Sequence, residues 1–501
     1  MSKRSIFQII GIVTIINLAS RLLGFIREVV IGYHFGTSYL ADSVIIAYTI
    51  PNFLYIVVGG AVTTAFISIY QKIGTDIEKK EFKRIIFSYT ALLSFIITAL
   101  FMIFARDVIQ LVFPGLSGNE LAITADSFFF MAPAVVFLIL SMWLSGVLNV
   151  EKMFYRTSLV TLVNNGLFVI VAIVFFPLVG ALSYAVGAVA GAMIMCAMLM
   201  LYVWRADLFR FQFKWTTATK GNVLRFLKVA IPIMLGGATL QFYFLLHRVF
   251  AAPLSEGYVA ALNYASKLVQ LPQSILMVAV TTVIFPMLAK KVAEKRMDDV
   301  NRLYSKGMQQ LLLLIAPFTV YLFFFAEEAV AFIFEYGSFT EQSTFMTGAM
   351  LKIFVIGMYA HAANLYVTRF YYAMEKSYVA VLAGVISVFG VNVAIIMIFI
   401  SDYGASAIAW ATTISAYFQL FSLIILGKTM LKLKLENMSS FVKTGIWMVA
   451  IVLVGWSIQR VVSFNNVYLM VIVTFTIFAI ISVLLLRFFK LVSFNIRKRV
   501  S

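Results

Sequence analysis

Fourteen long apolar segments constrain the fold of this chain more than any other feature of its sequence. Each has about twenty residues or more, the length that a helix needs to cross the hydrocarbon core of a bilayer. Of the 501 residues, 62% are hydrophobic and 12% are charged, and no soluble domain has an interior large enough to bury so much apolar surface. The segments are 6–32, 39–70, 85–112, 124–149, 155–177, 180–204, 225–250, 257–289, 307–334, 343–372, 378–400, 404–427, 441–461 and 466–489.

These segments predict helices rather than the strands of a membrane barrel, in which apolar and polar residues alternate. A helix satisfies its own backbone hydrogen bonds in lipid, so long uninterrupted apolar runs suit it. The first segment has a basic start but no small-residue cleavage site, and we expect it to be retained as the first helix. The sequence therefore predicts an all-α polytopic membrane protein with fourteen transmembrane helices.

Lysine and arginine are concentrated in alternate connections between the segments. Such connections include Lys79, Lys80, Lys83 and Arg84 after the second segment, and Lys290, Lys291, Lys295 and Arg296 after the eighth. The intervening connections, such as 113–123, contain almost no basic residues. Because cytoplasmic loops carry the excess of Lys and Arg, both termini are predicted in the cytoplasm. The net charge of +18 then suits an anionic membrane face, and no nucleic-acid partner is predicted.

Short sequences recur at a spacing of about 220 residues. AVTT occurs at 61–64 and 279–282, and GALSYA at 180–185 is similar to GASAIA at 404–409. Six segments separate each pair, so the two copies have the same orientation in the membrane, as in transporters with parallel repeats. The predicted organisation has two six-helix lobes with pseudo-two-fold symmetry and two further helices. The predicted ranges are 1–204 for the N-terminal lobe, 205–222 for a cytoplasmic linker, 223–427 for the C-terminal lobe, and 428–501 for the last two helices and a basic cytoplasmic tail.

Three cations lie inside predicted membrane helices. Arg21 is roughly 22 Å along the first segment, Arg27 is about 9 Å further, and Lys267 is roughly 15 Å into the eighth segment. A cation at such depth costs at least about 2.5–3.5 kcal/mol and normally faces a partner or a water-filled cavity. Arg21 could pair with Asp42, and Arg27 could pair with Glu28 or extend to the outer surface. The alternative is that Arg21, Arg27 and Lys267 bind an anionic substrate between the two lobes.

Other residues suggest gating. Pro51 and Pro272 lie in the second and eighth segments, where proline removes a backbone hydrogen bond and bends a helix. Each could serve a gate or a static kink. Arg369, near a cytoplasmic end, could also belong to the gate or lie at the membrane surface, and Arg248, near an outer end, is expected to extend towards water.

Motifs for catalysis are absent from the sequence. There is no G-x-x-x-x-G-K-[ST] motif for ATP, no H-E-x-x-H motif, and Cys196 is the single cysteine. We therefore expect no enzymatic activity, no cofactor and no metal site, and we predict no sodium site.

Several motifs resemble those of the MurJ/MviN lipid II flippase family, within the multidrug/oligosaccharidyl-lipid/polysaccharide exporter superfamily. They are SRLLGFIREVVIGYHFGTSYLADSVIIAYTIPNFL (20–54), YASKLVQLPQSIL (264–276), FEYGSFT (334–340) and TRFYYAMEKS (368–377). The resemblance covers essentially the whole chain. It implies fourteen helices, a two-lobe fold and an undecaprenyl-diphosphate-linked glycan, lipid II, as the substrate that moves to the outer leaflet by alternating access.

The resemblance also implies residue roles. Arg21, Arg27 and Asp42 match functional positions of the family, and Lys267 stands where the family usually has arginine. Tyr55 and Ile56 replace a basic pair, and Gly59 replaces a glutamate. These differences leave open a flippase for another polyprenyl-linked glycan of the teichoic, capsular or O-antigen type, and a multidrug/cation antiporter is a more distant alternative. The expected location is the bacterial cytoplasmic membrane, with the lipid bilayer and other cell-wall synthesis proteins as candidate partners.

Overall fold

The structure, a computed structural model, describes residues 3–205, 217–237, 239–280, 284–436 and 438–491. The regular secondary structure of these residues is helical, and they contain no strand. The predicted all-α membrane fold is therefore confirmed. Parts of the predicted linker, the AVTT residues 281 and 282 and the basic tail beyond 491 lie outside the described residues.

The helices of the first half of the chain follow one another with short connections. They are α1 (Lys3–Phe35), α2 (Tyr39–Leu54), α3 (Gly60–Tyr70), α4 (Asp76–Ile103), α5 (Ala105–Val112), α6 (Gly118–Met131), α7 (Ala134–Val150), α8 (Phe154–Val179), α9 (Leu182–Arg205), α10 (Thr217–Gly237) and α11 (Thr239–Ala251).

The second half is similarly built. Its helices are α12 (Tyr258–Ala279), α13 (Phe285–Ala293), α14 (Met297–Phe324), α15 (Ala326–Phe334), α16 (Glu341–Ala373), α17 (Ser377–Val385), α18 (Val393–Tyr403), α19 (Ala405–Met430), α20 (Met438–Val461) and α21 (Val467–Phe488).

Every one of the fourteen apolar segments overlaps one or more of these helices. Among the described residues, ten helices are long and apolar enough to cross a membrane, or eleven if the bent pair α6 and α7 forms one span. The chain is thus a multi-pass membrane protein. The first, seventh and eighth segments are not among these spans, and each includes residues outside those that the structure fully describes. The number fourteen stays a prediction.

The internal repeat is visible in the helix boundaries. α4 and α14 both have 28 residues, and in both cases a single phenylalanine, Phe104 or Phe325, separates the helix from a short helix, α5 or α15. The backbone at Phe104 (φ −108°, ψ 31°) is close to that at Phe325 (φ −116°, ψ 37°). Gly180 and Gly404, from the paired GALSYA and GASAIA motifs, both adopt positive φ of 56° and 50°. The two parts of the repeat therefore place the same turns after equivalent helices.

The helix that contains Pro51 is irregular in its second half. Pro51 lies inside α2, and a π-helical turn at Tyr55–Gly59 joins α2 to α3. Proline cannot donate a backbone hydrogen bond, which loosens the helix around it, and π-helical turns occur frequently at functional sites. Pro272 similarly lies inside α12. Elsewhere in the second half of the chain, another π-helical turn, Ile386–Asn392, joins α17 to α18.

Contacts divide the chain into two compact units, Met1–Ala260 and Ala261–Ser501. α10 and α11 fall in the first unit, although the repeat assigns them to the C-terminal lobe. The core of the first unit includes Phe66, Phe82 and Trp143, while that of the second includes Tyr304, Tyr366 and Phe370. The lobe boundaries read from the repeat stay a prediction.

Side-chain hydrogen bonds fasten the last two helices to α14 in the second unit. Gln309 Nε2 donates to Ser440 Oγ at 2.6 Å and to Thr444 Oγ1 at 2.9 Å on α20. About three helical turns further along α14, Tyr321 Oη donates to Val471 O on α21 at 3.2 Å. Contacts at both levels attach α20 and α21 to the body of this unit.

Candidate functional site

Arg21 lies on the exposed face of α1, next to a turn that is anchored to α8. The anchor is Asn165 Nδ2, which donates to Ser20 O at 3.0 Å and to Ser20 Oγ at 2.9 Å. Ser20 is buried, whereas the next residue, Arg21, is exposed. The helix thus presents Arg21 from a fixed backbone position.

Arg27 forms a buried ion pair on the same helix. Its Nη2 donates to Glu28 Oε1 at 2.8 Å, and the two side chains are 14% and 4% exposed. The guanidinium also lies 4.8 Å from the ring centre of Tyr48 and 5.0 Å from that of Phe168, within the range of cation–π attraction. The Arg27–Glu28 pair, one of the alternatives that the sequence offers, is therefore present. The predicted role of Arg27 in substrate binding stays a prediction.

A second arginine lies on α11. Arg248 Nη1 donates to Thr49 Oγ1 on α2 at 3.0 Å. Arg248, like Arg27, is thus a cation in a segment that the sequence predicts to cross the membrane, where a cation normally faces a partner or a water-filled cavity.

Asp42 accepts hydrogen bonds from two backbone groups. Its Oδ2 accepts from Gly257 N and its Oδ1 from Ala260 N, both at 2.7 Å. These groups belong to the connection before α12 and to its first turn, where backbone N–H groups have no partner within the helix. The carboxylate therefore caps α12 from another helix, with a favourable interaction with the helix dipole.

Gly257 permits this close approach. Its φ is +87°, and a Cβ at this position would lie 2.0 Å from Thr37 O, in the connection between α1 and α2. Only glycine combines this backbone conformation with the absence of a side chain. The connection before α12 is thus held against both Thr37 and Asp42.

The contacts to α11 and α12 lie along one face of α2. Asp42, Thr49 and Phe53 are spaced by seven and four residues, which places them on a common side of a helix. Their partners are Ala260, Arg248 and Phe242, respectively. The ring centres of Phe53 and Phe242 are 5.1 Å apart. We call this set the α2 contact face. Its helical spacing is visible in the sequence, but its partners, about 190 to 220 residues away, are not.

In the second unit, Lys267 is half-buried on α12. Gln273, six residues later on the same helix, donates from Nε2 to Met358 O on α16 at 3.0 Å. This bond joins α12 to α16 immediately after Pro272, so the part of α12 beyond the proline is tied to its neighbour. The substrate-binding role of Lys267, which precedes this tie, stays a prediction.

Arg369 lies near the end of α16, close to aromatic rings. Its guanidinium carbon is 5.8 Å from the ring centres of both Phe285 and Tyr372. Its Nε is buried without a hydrogen-bond partner among the described residues. Arg369 is therefore a half-buried side chain with its Nε shielded from water. Its predicted part in gating stays a prediction.

Glu327, which the sequence places on an outer flank, pairs with a lysine. Lys352 Nζ on α16 donates to Glu327 Oε1 on α15 at 2.5 Å. The break in the helix at Phe325 makes Glu327 part of the first turn of α15, where a negative charge is favourable. Among the described residues, no group of three or more His, Cys, Asp or Glu side chains is arranged to hold a metal ion.

The chain is similar to known proteins over most of its length. A family model described as lipid II flippase MurJ matches residues 31–480. The chain belongs to this family. A curated relative from Buchnera aphidicola, named as a probable lipid II flippase MurJ, is 26% identical over 380 residues, which cover 73% of this chain and 72% of the relative.

Solved structures agree with this assignment at the level of the fold. One of lipid II flippase MurJ in an inward closed conformation matches with a TM-score of 0.82 and 22% identity, over 95% of this chain and 97% of that chain. An inward-facing multidrug resistance MATE family transporter of the MOP superfamily matches with a TM-score of 0.67 and 12% identity, over 82% and 96% of the two chains. The resemblance seen in the sequence motifs is confirmed.

The matched range of this MurJ family member begins after two of the predicted ligands. Asp42, Lys267 and Arg369 lie inside residues 31–480, whereas Arg21 and Arg27 precede them. One departure from the family pattern also has a local structural counterpart. A Cβ on Gly59 would lie 2.8 Å from Met142 Cγ, so Met142 would have to move before a glutamate could stand at this position.

Proposed function

We propose that this MurJ family member is a flippase that moves lipid II from the inner to the outer leaflet of the bacterial cytoplasmic membrane. The observation that carries the proposal is the match of residues 31–480 to the family model described as lipid II flippase MurJ. The predicted ligands Arg21, Arg27 and Lys267 are cations, and cations inside a membrane protein suit a ligand that brings negative charge. The diphosphate of a polyprenyl-linked glycan supplies that charge, and its lipid tail can remain in the bilayer.

The predicted ligands each contribute a cation. Arg21 and Arg27 lie on α1 in the first unit, and Lys267 lies on α12 in the second. Arginine presents a planar set of donors that matches phosphate oxygens, whereas lysine acts as a point charge. We propose that these three residues bind the diphosphate and sugar head group.

Transport by alternating access requires contacts that break and re-form. We propose that the bonds from Asp42 to Gly257 and Ala260 are such contacts, because a helix terminus can exchange a carboxylate for water at moderate cost. Pro51 and Pro272 supply bends, and Arg369 is a further gating residue. The distribution of basic residues supports a cytoplasmic location for both termini.

The driving force that we propose is the membrane potential or an ion gradient, because the sequence has no ATP-binding motif. One elementary charge that crosses 100 mV contributes about 2.3 kcal/mol. An anionic head group that leaves a cell with a negative interior is therefore helped by the potential. No catalytic role is proposed, and other cell-wall synthesis proteins are candidate partners.

Rescue of a bacterium depleted of its lipid II flippase tests the function. The full-length chain should restore growth and the exposure of lipid II on the outer leaflet. An Arg21→Ala, Lys267→Ala double variant should fail, while an Arg106→Ala, Lys376→Ala control, which removes an exposed cation from each unit, should succeed. Full rescue by the first double variant would refute the assignment of these ligands.

A second candidate is a flippase for another polyprenyl-linked glycan. Two departures from the family pattern favour it. A glutamate in place of Gly59 would clash with the side chain of Met142. Tyr55 and Ile56 stand where the family pattern has a basic pair. This candidate predicts no rescue and no lipid II exposure by the unmodified chain, although the protein is present in the membrane.

A further inference from the structure

Three residues of α1 contact α8 along one face. They are spaced by seven residues, about two helical turns, so they lie on the same side of α1. The contacts join Ser20 to Asn165, Arg27 to Phe168, and His34 to Phe176. The partners follow in the same order on both helices. α1 and α8 therefore run in the same direction and stay in contact over roughly 21 Å.

Two glycines of α9 hold α8 from another side. Gly187 and Gly191 are four residues apart, so they share a face of α9. A Cβ on Gly187 would lie 2.8 Å from Phe168 Cδ2, and a Cβ on Gly191 would lie 2.8 Å from Asn164 O. Only residues without a side chain permit this approach. α8 is thus packed directly against the backbone of α9 and cannot yield towards it.

Asn165 fixes the turn of α1 that carries Arg21. Its Nδ2 donates to Ser20 O at 3.0 Å and to Ser20 Oγ at 2.9 Å. Both acceptors belong to the residue immediately before Arg21. The two bonds therefore set the position and the rotation of this turn relative to α8, and with them the point from which the Arg21 side chain starts.

Phe168 supports the guanidinium of Arg27. The ring of Phe168 is buried, and its centre is 5.0 Å from the guanidinium carbon. The ring of Tyr48 is 4.8 Å from the same carbon and 5.4 Å from Phe168. The two rings attract the cation and restrict the directions in which its donors can point. Phe168 follows Asn165 by three residues, so one turn of α8 supports both arginines.

We propose that this turn of α8 sets the placement of the two predicted substrate arginines of α1, with Asn165 as the positioning residue of Arg21 and Phe168 as that of Arg27. The inference rests on the proposed function. Arginine binds phosphate oxygens through a planar set of donors whose direction matters. The affinity for a diphosphate therefore depends on how α8 holds each guanidinium, although neither Asn165 nor Phe168 is assigned a contact with the substrate.

Binding of undecaprenyl diphosphate to the purified full-length protein in detergent tests the proposal. Asn165→Leu, which keeps the volume but has no donor, should weaken binding about fivefold, the range for one or two ordinary hydrogen bonds. Phe168→Leu should weaken it about threefold, as for the loss of one cation–π contact. The matched controls are Asn119→Leu on α6 and Phe175→Leu on α8, both at exposed positions, and they should bind like the unmodified protein.

A double-variant cycle separates positioning from a general loss of structure. If Asn165 acts through Arg21, its substitution has no further effect once the arginine is removed. The Asn165→Leu, Arg21→Ala double variant should therefore bind as weakly as Arg21→Ala and no more weakly. A loss equal to the product of the two single losses would overturn the positioning role of Asn165.

The outcomes separate this inference from the proposed function. Unchanged affinity in Asn165→Leu or Phe168→Leu, with normal binding by the unmodified protein, would overturn the role of that residue alone. Absence of binding by the unmodified protein would overturn the proposed function. If Asn165→Leu does not fold, Ser20→Ala decides, because it removes one of the two acceptors. A loss of about twofold that disappears in the Arg21→Ala background supports the proposal, and equal affinity overturns it.

Discussion

Asp42 accepts a hydrogen bond of 2.7 Å from the backbone N–H of Ala260, in the first turn of α12. The second carboxylate oxygen accepts from Gly257 N at the same distance. One side chain on α2 thus holds two otherwise unpaired donors at the start of the helix that carries Lys267 and Pro272. A change in the charge of Asp42 should therefore be felt by α12.

Asp42→Asn should destabilise the protein by about 1.5–3 kcal/mol, the range for a hydrogen bond to a charged group. The amide has a single acceptor oxygen, so its NH2 group would face one of the two backbone donors. Thermal unfolding in detergent measures the effect. Asp107→Asn, at an exposed position in the first turn of α5, is the control and should change stability by less than about 0.5 kcal/mol. Equal melting temperatures for the two variants would contradict the capping role.

Gly257→Ala should be more harmful than a typical glycine substitution. The new Cβ would lie 2.0 Å from Thr37 O at a φ of +87°, so the connection before α12 must move. We expect a loss of stability of more than about 2 kcal/mol together with loss of transport. Gly221→Ala, within α10, meets no atom within 4 Å and should instead stabilise by about 0.5–1 kcal/mol. Thermal unfolding of the two variants should therefore shift in opposite directions.

The class of fold could be predicted from the sequence, because helices in lipid follow from the length of the apolar segments alone. The acid beside Arg27 was also evident, since Glu28 is the next residue. The partner of Asp42 could not be identified, because the bonded backbone groups are 215 and 218 positions away and belong to residues with no polar side chain. Alternation of basic residues describes helix orientation but not which helices touch.

Arg248 shows a second limit of sequence reasoning. Its place near a helix end predicted an outward side chain, yet it donates to Thr49 in the middle of α2. That direction depends on the neighbouring helix α2, which supplies the buried hydroxyl of Thr49 as an acceptor. The spacing of Asp42, Thr49 and Phe53 does indicate a shared face, but it does not indicate that α11 and α12 cover it.

Glu28→Gln should cost about 3–5 kcal/mol, because it leaves Arg27 charged and buried without its acid. Replacing both residues, as in Arg27→Met, Glu28→Met, should recover much of this stability, since no unpaired charge remains. Unfolding of Arg27→Met, of Glu28→Met and of the double variant, compared as a cycle with the unmodified protein, gives the interaction energy. A double variant as unstable as the sum of the single ones would show that the pair is not coupled. Transport should stay impaired in the double variant if Arg27 binds substrate.

Lys352 and Glu327 provide a contrasting ion pair with side chains that are 38% and 41% exposed. Lys352→Gln should reduce stability by no more than about 1 kcal/mol, because partly solvated pairs gain little after solvent screening and side-chain ordering. The same unfolding assay, repeated at low and high salt, should show the small difference disappear at high salt. A loss as large as that of Glu28→Gln would mean that this pair, at the first turn of α15, has a structural role that its exposure does not indicate.

Membrane orientation can be read from cysteine labelling, because Cys196 is buried and can be replaced by serine to give a cysteine-free chain. Ser117→Cys, exposed between α5 and α6, should react with a membrane-impermeant maleimide in spheroplasts. Lys80→Cys, exposed near the start of α4, should react only after the membrane is opened. The difference follows from the basic residues around Lys80, which favour the cytoplasmic side. Labelling of Lys80→Cys in intact spheroplasts, with Ser117→Cys protected, would invert the topology and with it the direction proposed for the substrate.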